Sequence, residues 1–521
     1  MDKVALTGFM GAGKTTVGRA LAAAMGAAFL DVDAALVEAH GPIARQFRDD
    51  GEAAFREREA CLVQAWVDRE DSGIVALGGG AWHLPSVQEA LWGRAATVFL
   101  DVPLDVARAR VVRDEERPLW DDSVAARFQA RQAGYREADL RVDASAPVAA
   151  VVDRILEGLS TRRPVAAMAV PVELDAHAYE VHVGRGFAGL GDRLRAVCSA
   201  AHEGVVLVSD ETVDPLWTAA VEREISVARK VVLPAGEAHK GWSSLQDVVD
   251  GILDGPAHRG TVVVALGGGV VGDIAGLGAS LALRGLPVVQ LPTSLLAMVD
   301  ASVGGKTAIN HTRGKNLVGA FHQPSLVWAA SAVLGTLAPI ERRAGWGEVA
   351  KTALIGDPSL LEVLPAAEAA AAAGSLHLVE QAVARCVAVK ARVVAEDALE
   401  RGVRVWLNAG HTVGHGLETA LGHGAIPHGH AVALGLLAEL KWALGEGVCV
   451  EPELMARLEA SLVGAGLCLD VPPFDREAAL EAMGRDKKGT GGGVRLPLPR
   501  RAGEMVVVDL PRARLAELLP E

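Results

Sequence analysis

The octet Gly8-Phe9-Met10-Gly11-Ala12-Gly13-Lys14-Thr15 constrains this chain more than any other stretch. The apolar run Val4–Leu6 reads as a buried strand and Gly13–Met25 as a helix, so the octet falls at the strand-to-helix turn that a phosphate-binding P-loop requires. Glycines there let backbone N–H groups curl toward phosphate oxygens, and the helix N-terminus adds positive potential. Lys14 then neutralises the β- and γ-phosphates, and Thr15 ligates Mg²⁺. Short apolar strands at Val75–Leu77 and Val98–Leu100 continue the βα pattern, and Val148–Leu159 reads as a closing helix. Asp31 and Asp33 follow a second apolar segment. Alternate residues at a strand end can present both carboxylates to one cleft, although such a pair also occurs as a solvated turn.

At 521 residues the chain exceeds what one core serves, and about 150 residues per domain suggests three or four units. Ala, Gly and Val dominate and aromatics are few, which suits helices packed on a parallel sheet, an α/β class. The expected boundaries are a P-loop kinase-type domain over 1–160, a linker over 161–169 marked by Ser160-Thr161-Arg162-Arg163-Pro164, a Rossmann-like α/β part over 170–323, and a mainly helical part over 324–521. Gly204–Ser209 and Thr261–Leu266 read as buried parallel strands, and the run 366–373, rich in Ala, as a solvent-edged helix.

The formal charge of −14 argues against a nucleic-acid surface. Five cysteines lie far apart with no Cys-x-x-Cys pair, so neither a thiolate zinc site nor a disulfide framework is expected, and a reducing cytoplasm fits. Met1 leads straight into a strand without a signal-peptide pattern, and no run of about 18 uncharged apolar residues occurs, so no membrane span is expected.

A second set of chemically suggestive residues lies further on. Gly267-Gly268-Gly269-Val270-Val271-Gly272-Asp273 follows a strand and can bring a helix N-terminus onto a pyrophosphate, but the glycines are not in the G-x-G-x-x-G order, and a ligand-free turn stays open. The stretch from Val299 to Thr307, with Lys315-Asn316 after it, sets cationic groups among glycines and suits an anionic substrate; Ser302–Thr307 lacks the register of a second P-loop. His411 and His415 stand one helical turn apart, with His423, His428 and His430 downstream and Glu348 upstream. Two histidines and a carboxylate would suit catalytic zinc.

The first domain resembles shikimate kinase. The match rests on the P-loop, Asp31-Val32-Asp33, Gly51-Glu52-Ala53-Ala54-Phe55-Arg56, Gly78-Gly79-Gly80 and the lid-like Arg117-Pro118-Leu119, with Trp120 departing from the family pattern. The resemblance implies ATP against Gly11, Ala12, Gly13, Lys14, Thr15 and Thr16, with Arg110 over adenine and Arg117 reaching the transferring phosphoryl group. It also implies Mg²⁺ held by Thr15 and, through water, by Asp31. Shikimate would lie against Asp33, Arg56, Gly78, Gly79, Gly80 and Arg131, with Asp33 orienting the attacked hydroxyl.

The remainder, from about Asp210 to Lys488, resembles 3-dehydroquinate synthase. The matching segments include Pro234-Ala235-Gly236-Glu237 with Lys240, Gly267–Asp273, Asp300–Asn316, Glu348–Lys351, Asn408–His415 and Arg485-Asp486-Lys487-Lys488. The resemblance implies one divalent metal, Zn²⁺ or Co²⁺, on Glu348, His411 and His428. NAD would lie against Asp210, Glu237, Lys240, Gly268, Gly269, Val270, Asp273, Thr293, Lys306 and Lys315. The cyclase substrate would be held by Asp300, Lys306, Lys315, Asn316, Lys351, Lys390, Arg404, Asn408, His415 and Lys487, with Arg284 reaching in from the second subunit of a homodimer. His428-Gly429-His430 departs from the family's usual His-Gly-Glu, and a role supporting His428 is expected for His430. Together the two resemblances imply a bifunctional shikimate-pathway enzyme acting on small molecules in the cytoplasm. The rival readings are another small-metabolite kinase, another sugar-phosphate cyclase or a polyol dehydrogenase, or one half as a silent binding module.

Overall fold

In the computed structural model the chain forms two compact units dividing near residue 166. Residues 3–69, 71–91, 94–111, 123–135, 138–161, 168–174, 177–198, 204–372, 376–400, 402–422, 424–484 and 493–520 are described. Arg117, Trp120, His423, Lys487 and the expected linker core at 162–167 fall outside them.

The first unit is built on β1 (Lys3–Thr7), β2 (Ala28–Asp31), β3 (Gly73–Ala76), β4 (Ala96–Asp101) and β5 (Leu140–Asp143), in the order β2-β3-β1-β4-β5. All four pairings are parallel, so every strand delivers its carboxyl end to the same edge. One apolar cluster packs Phe9, Phe55, Phe99 and Tyr135 against one face, and another packs Leu6, Leu21, Val98 and Ile155 against the other. This two-sided burial is why these strands read as continuous apolar runs rather than alternating ones.

The second unit contains β6 (Met168–Leu174), β7 (His177–Gly184), β8 (Val205–Asp210), β9 (Arg229–Leu233), β10 (Val262–Gly267), β11 (Val288–Pro292), β12 (Lys306–His311), β13 (Gly314–Phe321), β14 (Leu326–Ala330), β15 (Gly493–Arg501) and β16 (Glu504–Pro511). Its seven-stranded sheet runs β6-β7-β14-β11-β10-β8-β9, and only β6 is antiparallel to its neighbour. The hairpins β12–β13 and β15–β16 stand apart from it.

Two sequence expectations change here, the start of the helical part and the number of units. The helical part begins after Ala330 rather than at 324, because β14 is an inner strand whose apolar residues are all buried. The part after Ala330 is mainly helical, as expected, with the hairpin β15–β16 near its C-terminal end. Two compact units replace three or four, because the helices after Ala330 return Lys351, Lys390 and Arg404 to Asp300 and Gly304 and so share a site with the sheet. Among the described residues no helix is long and apolar enough to cross a membrane.

Candidate active sites

In the first unit the loop after β1 opens the helix Lys14–Met25 through Gly13, whose φ of 91° is left-handed. A Cβ on Gly11 would lie 2.5 Å from the Ala107 carbonyl oxygen, so the loop requires glycine there for close backbone approach as well as for its φ of 80°. Lys14 Nζ donates to the Gly8 carbonyl at 2.8 Å, which leaves the ammonium over the loop's own concave face. Thr15 Oγ1 donates to Asp31 Oδ2 at 2.6 Å. Asp31 ends β2 and its other oxygen caps the following helix at the Ala34 N–H, which fixes the carboxylate. Asp33 lies in that helix's first turn rather than on the strand, yet both aspartates line the same cavity as the P-loop, of about 570 Å³. Arg110 also lines it, donating to the Ala144 carbonyl at 2.9 Å.

Beyond Asp33 the glycine triplet acts as a floor for side chains. Cβ atoms on Gly78 and Gly80 would overlap Glu59 Oε1 at 2.0 Å and the Arg56 guanidinium at 2.6 Å. Arg56 is gripped by Glu59 at 2.5 Å and by Glu52 at 2.9 Å, and Arg131 and the Tyr135 hydroxyl both donate to the Gly79 carbonyl. Glu59 is fully buried, and burial outweighs its Arg56 partner, pushing its carboxyl up to about 7. Sequence reasoning missed Glu59 and Tyr135. The available signal for Glu59 was its position three residues after Arg56 on one helix face.

In the second unit the expected nucleotide residues gather along one sheet edge. Asp210 ends β8, Gly268, Gly269 and Val270 follow β10, Thr293 follows β11, and Glu237 follows β9, all at strand carboxyl ends. Ligands of open α/β sheets bind at such an edge. Lys240 pairs with Asp273 at 2.6 Å and donates to Asn316 at 2.6 Å, while Asn310 donates to Glu237 at 2.7 Å, so hairpin β12–β13 is tied to this edge.

Three helices converge beside it. Glu348 and Lys351 lie on Pro339–Gly356, His411 and His415 on His411–Leu421, and His428 opens His428–Gly445. Nε2 of His411 and Nε2 of His428 each stand 3.6 Å from Glu348 Oε1. Each ring's Nδ1 is engaged elsewhere: that of His411 at the Ala409 carbonyl and that of His428 at Glu418, both at 3.1 Å. His415 joins them, and ligand atoms of all three histidines lie within 4.8 Å of one another. Glu348 is 1 % exposed; its Oε2 lies 2.5 Å from Lys351 Nζ, whereas Oε1, the oxygen facing the two imidazoles, has no hydrogen bond among the described residues. A buried carboxylate facing two imidazole lone pairs is a donor set suited to a divalent cation.

Next to it, Asp300 in the π-helical turn Ala297–Ala301 receives Lys351 at 3.2 Å and Lys390 at closer range. Burial opposes the Asp300 anion, but the Lys351 and Lys390 ammonium groups hold its carboxyl well below the usual range. Burial lowers Lys390 to about 8 despite Asp300. It also lowers His411, reinforced by Lys351, which keeps that imidazole neutral and able to donate a lone pair. Arg404 is 1 % exposed and donates to the Gly304 carbonyl at 2.7 Å, and Lys306 and Asn408 converge on Glu400 at 2.7 and 2.9 Å. Glu400 and Glu418 were not anticipated from sequence; carboxylates inside a pocket expected to be basic gave no motif. His430 corrects an expectation: its Nε2 faces the Cys468 carbonyl at 2.5 Å, so it ties its helix to a loop rather than supporting His428. Arg284 is exposed on a turn where both Leu283 and Arg284 take left-handed φ, 49° and 70°.

Comparison with known proteins agrees with this architecture. Residues 10–160 match the family model described as shikimate kinase, 230–344 the 3-dehydroquinate synthase N-terminal model and 345–489 its C-terminal model. A 3-dehydroquinate synthase of Jannaschia sp. (strain CCS1) is 42% identical over 364 residues, covering 68% of this chain and 98% of that protein. A 2-epi-5-epi-valiolone synthase from Streptomyces hygroscopicus, solved with NAD⁺ and Zn²⁺, superposes with a TM-score of 0.58 at 27% identity, covering 66% of this chain and 96% of its own. A 2-deoxy-scyllo-inosose synthase shares the fold, with a TM-score of 0.61 at 24% identity, over 67% of this chain and 99% of its own. The chain belongs to the 3-dehydroquinate synthase family through its second unit and carries a shikimate kinase domain as its first.

Proposed function

We propose that the first unit phosphorylates shikimate with ATP to give shikimate 3-phosphate, and that the second converts 3-deoxy-arabino-heptulosonate 7-phosphate to 3-dehydroquinate and phosphate. In the kinase, Lys14 neutralises the migrating phosphoryl charge, aided by Arg117, and the Thr15–Asp31 pair offers an oxygen and a carboxylate to Mg²⁺. Asp33 takes the proton of the attacking hydroxyl, and Arg56 and Arg131 hold the substrate carboxylate by charge-assisted hydrogen bonds.

In the synthase, Glu348, His411 and His428 hold the divalent metal, and NAD lies along the carboxyl edge of β9-β8-β10-β11. When bound, NAD would accept and return the hydride of a carbinol C–H, and the metal would acidify the hydroxyl on that carbon. The chain's own residues bind and orient. Lys351, Lys390, Lys306, Lys315 and Arg404 supply positive charge for the substrate's carboxylate and phosphate, with Asn316, Asn408, His415 and Lys487 completing the enclosure. Asp300, held ionised between two lysines, fixes their positions and can accept a hydrogen bond from a substrate hydroxyl. Two copies of the chain form a homodimer through their synthase halves, in which Arg284, on its left-handed turn, contributes to the partner's pocket.

The observation that carries this reading is the convergence of the His411 and His428 Nε2 atoms on Oε1 of the buried Glu348, an oxygen with no hydrogen bond among the described residues, next to the Lys351–Asp300–Lys390 chain. The test is to assay the intact chain with both substrates. Lys14→Ala should abolish shikimate phosphorylation and spare phosphate release, and Glu348→Gln should do the reverse. Steady accumulation of NADH without phosphate release would make the second unit a dehydrogenase instead.

A further inference from the structure

Glu418 is a carboxylate, 5% exposed, for which the chemistry above has no use. Its two oxygens serve two different parts of the site. Oε2 meets His428 Nδ1 at 3.1 Å, and Oε1 meets Lys315 Nζ at 3.1 Å. It sits on the helix His411–Leu421, so the segment that carries two of the imidazoles also orients the third, while Lys315 comes from β13. A carboxylate facing Nδ1 requires the proton on that nitrogen, so Nε2, 3.6 Å from Glu348, is the nitrogen left to bind a metal. A buried ion pair serving only the fold would not need to terminate on an imidazole whose other nitrogen faces a second buried carboxylate oxygen, Oε1 of Glu348.

We propose that Glu418 is a positioning residue that fixes His428 in its ligating tautomer and ties it to Lys315, so that metal affinity and the engagement of Lys315 are energetically coupled. This rests on the reading of His428 as a metal ligand. Glu418→Gln keeps the shape but places an amide where the carboxylate stood, and Lys315→Met removes the other end of the link.

The experiment titrates the metal-free full chain with Zn²⁺ against a chromophoric chelator, with no turnover required, and records the thermal midpoint of each metal-free variant. Glu418→Gln should weaken Zn²⁺ binding about 10–100-fold, the usual consequence of losing such a partner, and the metal-free midpoint, which falls with the lost ion pair to Lys315, must stay above the titration temperature. Glu418→Asp, which keeps the charge but falls short by one methylene, should weaken it as well and serves if the Gln variant does not fold. Lys315→Met should shift Zn²⁺ affinity in the parent but not in the Glu418→Gln background. Parental affinity in both Glu418 variants would overturn the positioning role, and additive effects of Lys315→Met and Glu418→Gln would overturn the coupling. His428→Ala is the control for the underlying reading: undiminished Zn²⁺ binding there removes the ligand assignment, and the proposal with it.

Discussion

Gly347 and Gly429 meet backbone to backbone: a Cβ on Gly347 would lie 1.8 Å from the Gly429 carbonyl oxygen, and one on Gly429 2.1 Å from that of Ala344. Glu348 follows the first glycine and His428 precedes the second, so the separation of these two side chains is set by contact between main chains. Gly410 and Gly435 do the same for the His411 helix, and Glu439, 2 % exposed on the His428 helix, accepts from the Gly410 and Val413 N–H groups at 2.7 and 3.3 Å.

Gly347→Ala is therefore expected to push the two helices apart. Forced insertion of a methyl into a close-packed contact costs about 1–3 kcal/mol. Zn²⁺ affinity and phosphate release should fall together, while shikimate phosphorylation stays at its parental rate. An unchanged Zn²⁺ titration would mean that the helices adjust without moving their ligands.

Chelation should separate the two activities. After treatment with a chelator both reactions stop; added Mg²⁺ restores only the kinase, and added Zn²⁺ or Co²⁺ restores phosphate release. Restoration of phosphate release by Mg²⁺ alone would contradict the imidazole-carboxylate site, which is suited to a softer ion.

Glu59 gives the kinase a pH dependence. With its carboxyl near 7, falling pH protonates it and Arg56 loses the charge that orients its guanidinium. The KM for shikimate should rise on the acid side of about pH 7, whereas Glu59→Gln should raise KM about tenfold, equivalent to about 1.4 kcal/mol, at all pH values and remove the inflection. An inflection persisting in the variant would belong to another group.

In the synthase the inflection lies on the alkaline side. Lys390, lowered to about 8 by burial, loses its proton as pH rises, and with it the ion pair to Asp300. The rate of phosphate release should decline about tenfold per pH unit above that value. Lys390→Arg, whose guanidinium does not deprotonate in this range, should flatten the limb at whatever activity remains.

Cutting the gene within residues 161–166 should yield two separately active proteins, because each unit has its own sheet, core and nucleotide edge. The measurement is kcat/KM of each fragment against the intact chain. A loss beyond tenfold, about 1.4 kcal/mol, would show that the units support one another.

The sequence by itself determined the strand–loop–helix beginning, the parallel α/β class, and that His411 and His415 share one helix face. These are local matters: Gly11 and Gly13 are demanded by backbone conformation, and His411 and His415 by one turn of helix. Only the tertiary structure decided what depends on residues distant in the chain. It placed β14 inside the sheet, turned His430 to Cys468, and brought Glu418 between Lys315 and His428. It also gave Glu59 its raised carboxyl, because burial depends on everything packed around a side chain, and no spacing along the sequence records what those neighbours are.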